Sequence, residues 1–335
     1  MRVSSKLIGL IVAAVVIASA AAIYFTTASG RKANEVNLRL EWTVQAQFAG
    51  YIVADRLGYY AEEGLIVNIR PAGPDLKPMS TVAAGTDDIG IGVSNQVALA
   101  RANGVPIKII AQIFQDSANR YVLLSKNKIN NLTELHNKKV GLWLGGDEAE
   151  FTAMLASVGM KMSDVQVVPQ GFSVAPFLNG DYVLSEVTVY NELIEIENAI
   201  RGKDTLQVIS PGDYKSAIVG DMLAATETTI RDRRDQLIRF MRASLRGWKF
   251  AMANPEKAVD LVVAANPELN RGEQLAQLQA ILGLATKGIS DDEIGIMKTE
   301  DYDTTIRILR ESGQLNADLR GPDLYDDSIW KAAKH

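Results

Sequence analysis

Aromatic and amide side chains follow several predicted strands of this 335-residue chain. Aromatic faces can stack on a flat ring, while amides and a carboxylate can pair with its polar edge. In such a site, each buried polar atom that lacks a hydrogen-bond partner costs about 1–3 kcal/mol. Taken singly, each residue more often has an ordinary role in a core or on a surface. Together they predict a site for a planar polar heterocycle. The residues are Trp42, Gln45, Gln47, Tyr51, Asn95, Gln96, Gln115, Trp143, Tyr190, Asn191 and Glu192.

Several other chemistries lack the residues that they need. The chain has no cysteine and only two histidines, His136 and His335. Disulfides, thiolate metal sites and cysteine nucleophiles are therefore excluded, and histidine catalysis nearly so. The P-loop, dinucleotide, zinc-protease and EF-hand motifs are also missing. We expect no metal and no cofactor. The net charge of −5 also argues against a nucleic-acid partner.

The length and composition predict a folded α/β chain with two lobes. A chain of 335 residues is too long for one small unit and suits two lobes of ordinary size. With 47% hydrophobic and 22% charged residues, it has enough apolar surface to offset the entropy of ordering.

The amino terminus has the order of an export signal. Arg2 and Lys6 precede an apolar stretch at residues 7–25. This stretch is longer than the roughly 7–15 residues of a signal peptide's apolar region and approaches the roughly 20 that span a bilayer. For residues 1–30 we predict either a cleaved signal peptide or a retained transmembrane anchor. The body would lie outside the cytoplasm, in the periplasm or on the outer face of the membrane.

Strands and helices alternate through the first part of the body. We predict strands at residues 36–42, 65–70, 88–93 and 107–113, and helices at residues 47–57 and 95–103. This order predicts a β-α-β-α-β lobe with a parallel sheet. Small ligands bind beyond the carboxyl ends of the strands in such sheets.

A second α/β series follows a crossing strand at residues 121–125. It contains predicted strands at 139–143 and 165–168, a helix at 148–158 and a strand ending at Tyr190. The chain returns near residues 221–225 and is helical from about Thr229. The apolar stripe of this region is Leu237, Met241, Leu245 and Trp248. We therefore predict lobe 1 at 36–124, lobe 2 at 125–222 and a helical second part of lobe 1 at 223–335, with a two-strand hinge.

Long stretches in both lobes carry a family resemblance. They are LEWTVQAQFAGYIVADRLGYYAEEGLIVNIRPAGPD, VAAGTDDIGIG, PIKIIAQIFQDSANR, KKVGLWLGGDEAEF, VYNE and RASLRGWKFAMANPEKAV, covering most of residues 36–260. The chain resembles ABC-importer substrate-binding proteins of the SsuA-like and thiamine pyrimidine synthase-like family. Within it, the likeness is to members that take up thiamine-pyrimidine precursors or riboflavin.

The resemblance implies a type 2 periplasmic-binding-protein fold, in which two lobes close on a ligand. A membrane permease and a cytosolic ATPase are the implied partners. In pyrimidine-binding relatives, a stretch such as Tyr190-Asn191-Glu192 resembles the place where a carboxylate pairs with the aminopyrimidine edge. The ligand-binding residues that we predict are Trp42, Gln47, Tyr51, Ser94, Asn95, Gln115, Trp143, Asp147, Glu148, Tyr190, Asn191 and Glu192.

Three alternatives stay open beside this one: a synthase, a sulfonate binder and an anchored sensor. Thiamine pyrimidine synthases of this family spend their own histidine and use a lysine that binds pyridoxal phosphate. This chain has Gly92 and Gln96 at the corresponding positions and no counterpart of the cysteine-rich cluster. Because both the amine and the imidazole are missing, we predict a binding protein and not an enzyme.

Overall fold

A computed structural model describes residues 34–73, 76–144, 148–171 and 173–334. The predicted signal peptide or anchor at residues 1–30 lies outside these ranges, as does Asp147. Within the described ranges, no helix is both long and apolar enough to span a membrane. The account below concerns the compact unit that begins at Val36.

Ten strands in the described ranges form two five-stranded sheets. They are β1 (Glu35–Arg39), β2 (Ile66–Arg70), β3 (Ile89–Gly92), β4 (Ile107–Gln112), β5 (Asn119–Leu124), β6 (Lys139–Leu142), β7 (Gln166–Pro169), β8 (Leu184–Thr188), β9 (Leu206–Ile209) and β10 (Met222–Thr226). The strand orders are β2-β1-β3-β10-β4 and β7-β6-β8-β5-β9. The predicted strands of both lobes are confirmed, with limits that shift by one to three residues at most ends.

The first sheet is mixed. β1 and β3 are parallel, whereas β10 pairs antiparallel with both β3 and β4. The prediction of a parallel sheet is therefore wrong at β10, which returns from the second sheet and is inserted between β3 and β4. Local alternation identifies a strand, but the direction of β10 depends on partners more than a hundred residues away.

Two glycines allow β3 to lie close to its neighbours. A Cβ atom on Gly90 would approach Val82 Cγ2 to 2.9 Å, and one on Gly92 would approach Gln96 Oε1 to 2.5 Å. Both distances are shorter than van der Waals contact. Gly90 therefore lets β3 pack closely against Val82 of the preceding helix, whereas the contact at Gly92 is with the end of the flexible Gln96 side chain.

The second sheet contains both parallel and antiparallel pairs. β6 lies parallel to β7 and β8, while β5 lies antiparallel to β8 and β9. Residues 113–118 and 210–221 connect the two sheets. The predicted lobe limits stay a prediction, and sheet membership would assign Asn119–Leu124 to the second lobe.

Helices cover the sheets. They are α1 (Ala49–Arg56), α2 (Tyr59–Glu62), α3 (Pro78–Ala83), α4 (Ser94–Ala102), α5 (Ala149–Ser157), α6 (Ala175–Asn179), α7 (Glu192–Ile200), α8 (Glu227–Asp232), α9 (Arg234–Ala253), α10 (Pro255–Ala265), α11 (Arg271–Ala285), α12 (Thr299–Glu311) and α13 (Ser328–Ala333). The predicted stripe of α9 is buried throughout. Its Gly247 faces Gly50 of α1 so closely that a Cβ atom would lie 2.0 Å from the Gly50 oxygen.

Candidate ligand site at the facing strand edges

Two glutamines follow the carboxyl end of β1. Gln45 precedes a 3-10 turn, Ala46–Phe48, Gln47 lies within that turn, and both side chains are buried. Gln45 Nε2 donates to Gln47 Oε1 at 2.8 Å, and Gln47 Nε2 donates to Asp221 Oδ1 at 2.7 Å. Because Asp221 immediately precedes β10, the bonds connect the end of β1 to the segment that returns from the second sheet.

Gln277 of α11 extends these bonds to the second sheet. Its Nε2 donates to Gln45 Oε1 at 3.3 Å and to Asn191 Oδ1 at 2.6 Å. Asn191 lies three residues beyond β8 and makes no side-chain cap for α7. We call Gln45, Gln47, Asn191 and Gln277 the amide cluster. It joins the carboxyl edges of the two sheets, where this type of architecture places its ligands.

Asp221 is the last, buried member of this series of side-chain hydrogen bonds. Its backbone has a φ of 48°, in the left-handed region that Asp tolerates better than most residues. Burial raises the pKa of the Asp221 carboxyl to about 7, although the hydrogen bond from Gln47 acts in the opposite direction. Its Oδ2 has no hydrogen-bond partner among the described residues.

Tyr51 is buried beside Asp221. Its ring meets Trp248 edge-on, with centroids 5.7 Å apart. Burial raises the pKa of the Tyr51 hydroxyl well above its ordinary value, and the nearby Asp221 acts in the same direction. Trp248 acts in the opposite direction as a hydrogen-bonding neighbour, but no contact of the hydroxyl within the described ranges has the geometry of a full hydrogen bond. Polar atoms that are buried and unpaired are uncommon in folded proteins and need an explanation.

An aromatic contact also crosses between the sheets. Phe114 follows β4, Tyr190 follows β8, and their ring centroids lie 5.8 Å apart at a tilt of 58°. Phe114 and Tyr190 belong to the large core cluster of the first sheet, which Ala149 and Ala153 of α5 also join. The two carboxyl edges therefore face each other across packed side chains as well as hydrogen bonds.

Two buried carboxylates support the second sheet's edge. Glu150 accepts hydrogen bonds from Ser117 Oγ at 3.0 Å, from Asn119 Nδ2 at 3.1 Å and from the backbone N–H of Ile218. Glu186 of β8 accepts from the backbone N–H of Trp143 at 2.9 Å. These bonds fix the connections between the sheets and the position of Trp143, directly after β6.

The structure brings some of the predicted site residues together. Gln47 and Asn191 belong to the amide cluster, Tyr190 precedes Asn191, and Tyr51 lies beside Asp221. Gln45, noted for its residue type, is also in the cluster. Asn95 is buried in the first turn of α4, and Trp42, Trp143 and Glu148 are half-buried near the strand ends. The ligand-binding role of these residues stays a prediction.

Other predicted residues are bonded elsewhere. The Ser94 hydroxyl pairs with Thr305 Oγ1 at 2.8 Å, and Gln115 Nε2 donates to the Gln112 oxygen at 2.9 Å. Glu192 Oε2 accepts from both the backbone N–H and the hydroxyl of Thr188, at 2.9 and 2.7 Å. These contacts position the turns around the site.

Sequence reasoning missed Asp221 and Gln277. The sequence shows an aspartate at position 221, at the start of a predicted strand, but it does not show which residue bonds to it. In α11, Gln274 and Gln277 stand three residues apart and are both buried. Gln274 Oε1 accepts from the backbone N–H of Ala46 at 2.7 Å. The signal was the i, i+3 spacing of two amides within an otherwise apolar helix face.

The two mixed sheets, the double crossing and the polar site between strand edges define a periplasmic-binding-protein fold. The aliphatic sulphonate binding protein SsuA of Escherichia coli has this fold and superposes with a TM-score of 0.64 at 12% identity, covering 88% of this chain and 92% of its own. Residues 45–258 match the family described as NMT1/THI5 like, and the chain belongs to that family. The resemblance seen in the sequence is confirmed.

Relatives in this family carry names of binding proteins and of synthases. The riboflavin-binding protein RibY of Chloroflexus aurantiacus is 28% identical, over 74% of this chain and 71% of its own. The formylaminopyrimidine-binding protein of Halalkalibacterium halodurans is 26% identical, over 80% and 81%. A 4-amino-5-hydroxymethyl-2-methylpyrimidine phosphate synthase of Legionella pneumophila is 24% identical, over 70% and 75%.

Proposed function

We propose that this protein is the extracytoplasmic substrate-binding component of an ABC importer, and that it captures a small aromatic heterocycle between its two lobes. The amide cluster carries this proposal, because it places hydrogen-bonding groups of both sheets at one point between the carboxyl edges. Relatives named for binding riboflavin and a formylaminopyrimidine support the ligand class.

The ligand is held by groups from both lobes. Amide groups of the cluster satisfy its polar edge, and aromatic side chains such as Trp42, Trp143 and Tyr190 cover its faces. A ligand that makes more contacts in the closed arrangement than in the open one stabilises closure by that difference. The permease and ATPase of the importer recognise the closed form.

Position 92 argues against synthase chemistry. Gly92 supplies no amine to bind pyridoxal phosphate, and Gln96 offers an amide in place of an imidazole. A binding role requires neither group.

Native mass spectrometry followed by calorimetry tests the proposal on the purified full chain. We expect riboflavin or 4-amino-5-hydroxymethyl-2-methylpyrimidine to bind in a one-to-one complex and to be released chemically unchanged. An alkanesulfonate serves as the comparison ligand. Tight binding of the sulfonate alone, or binding of no heterocycle, would contradict the ligand class.

A second measurement addresses the enzyme alternative. The full chain is incubated with pyridoxal phosphate and iron, and its intact mass is then recorded. We expect an unchanged mass and no aminopyrimidine product. A loss of mass from a side chain would show that this protein consumes itself as a synthase does.

A further inference from the structure

We infer that the side-chain oxygen of Gln277 is the acceptor for an N–H group on the edge of the bound heterocycle, so that Gln277 determines specificity at the site. This inference rests on the proposed function and makes it more specific. Gln277 lies outside residues 45–258, the part that matches the family. The helical carboxyl-terminal region would thus complete the ligand site, beyond its packing against the first sheet.

The first observation is that a buried acceptor, Gln277 Oε1, lacks a hydrogen-bond partner where the carboxyl edges of the two sheets meet. Gln277 is 2% exposed, and its Oε1 has no hydrogen-bond partner among the residues that the structure describes. The Nε2 atom of the same planar amide contacts Gln45 on one side and Asn191 on the other. The oxygen therefore lies beside the contact between the two strand edges. A buried acceptor without a donor costs about 1–3 kcal/mol, which a ligand N–H at this place would recover.

The second observation is the direction of the hydrogen bonds. Asp221 Oδ1 accepts from the nitrogen of Gln47, and it can do so in either protonation state because the proton of the neutral acid can lie on Oδ2, which has no described partner. Gln47 then presents its oxygen to the nitrogen of Gln45, and Gln45 presents its oxygen to the nitrogen of Gln277. Reversing the Gln277 amide would place its oxygen against two other oxygens, on Gln45 and Asn191. Asp221 thus fixes the orientation that leaves an acceptor, and not a donor, unpaired.

The chemistry of the ligand follows from this orientation. An exocyclic amine of an aminopyrimidine and the imide N–H of an isoalloxazine are both donors at the edge of a flat ring. A sulfonate or nitrate offers only oxygen acceptors, which the Gln277 oxygen would repel. One residue therefore separates heterocycles that carry an edge N–H from the anions bound by other proteins of this fold.

Paired ligands test this inference. Affinities are measured by calorimetry for riboflavin against 3-methylriboflavin, and for 4-amino-5-hydroxymethyl-2-methylpyrimidine against its 4-dimethylamino derivative. We expect the wild-type chain to prefer the N–H form of at least one pair by about tenfold or more. In Gln277→Met, that preference should fall to about threefold or less. Gln279→Met, an exposed position on the same helix, is the matched control and should keep the wild-type preference.

A conservative variant guards against a purely structural effect. Gln277→Glu keeps an acceptor oxygen for the ligand but loses the Nε2 donor to Gln45 and Asn191, so we expect it to retain the preference at a lower affinity. Binding with an unchanged preference in Gln277→Met, or with none in the wild type, would overturn the inference and leave the proposed function standing. The acceptor would then be satisfied by a buried water only. A wild-type chain that binds neither pair would overturn both.

Discussion

Replacing Asp221 by Asn should make the stability of this protein less dependent on pH. The carboxyl is buried, and burial raises its pKa from 3.8 to about 7. Between these two values the native state holds a proton that the unfolded chain has released. Stability therefore falls as the pH rises through this window. Asn can still accept from Gln47 and tolerates the positive φ, so the variant removes only the charge.

The size of the effect follows from the shift. A rise of about three pKa units corresponds to about 4 kcal/mol of destabilisation once the carboxyl is ionised in both states. Over the accessible range from about pH 5 to about pH 8, roughly 2–3 kcal/mol of this should appear. The free energy of unfolding of Asp221→Asn, minus that of the wild type, should increase by that amount across the range.

Urea unfolding followed by tryptophan fluorescence measures this difference at several pH values. Asp318→Asn is the control for the loss of a carboxylate, because the Asp318 side chain is fully exposed. A flat difference for Asp221→Asn would refute the reasoning. So would a difference that decreases with pH, since it would mean that the buried carboxylate is stabilised in its charged form.

Four further substitutions address the packing and the site. Gly247→Ala forces α9 away from α1, because its Cβ atom would lie 2.0 Å from the Gly50 oxygen, and should cost about 1–3 kcal/mol or more in thermal unfolding. Gly283→Ala, which meets no atom within 4 Å inside α11, should instead add about 0.5–1 kcal/mol. Tyr51→Phe removes a hydroxyl that makes no full hydrogen bond among the described residues, so the free energy of unfolding should change by less than about 1 kcal/mol; a larger loss would reveal a partner such as Trp248 or a buried water. Glu192→Gln keeps an oxygen for Thr188 and should weaken aminopyrimidine binding about tenfold while sparing riboflavin; equal affinities in variant and wild type would remove Glu192 from the site.

The elements of this fold could be predicted because their signals are local. The alternation in β1, the glycines of β3 and the apolar stripe of α9 are each contained in a short window. The amide cluster has no such window. Gln277 pairs with Gln45 across 232 positions, and amides on a helix are usually solvated. Residue type alone identified Gln45, Gln47 and Asn191, but only the packing of α11 shows what joins them.

Two side chains form hydrogen bonds to both connections between the sheets. Gln112 Nε2 donates to the carbonyl oxygens of Phe114 and Gly220, one in each connection between the sheets. Glu150 accepts from Ser117 and Ile218, again one in each. These hydrogen bonds tie the two connections to each other, and the lobe closure of the proposed function would have to act on the few residues between them.

The amide cluster lies directly beyond that short segment, since Asp221 follows Gly220. Under the proposed function, opening of the lobes there would separate Asn191 from Gln277 and break the 2.6 Å hydrogen bond that joins the two strand edges. A ligand bonded to both sides would then stabilise the closed state at the point where opening begins, by its difference in affinity between the two states.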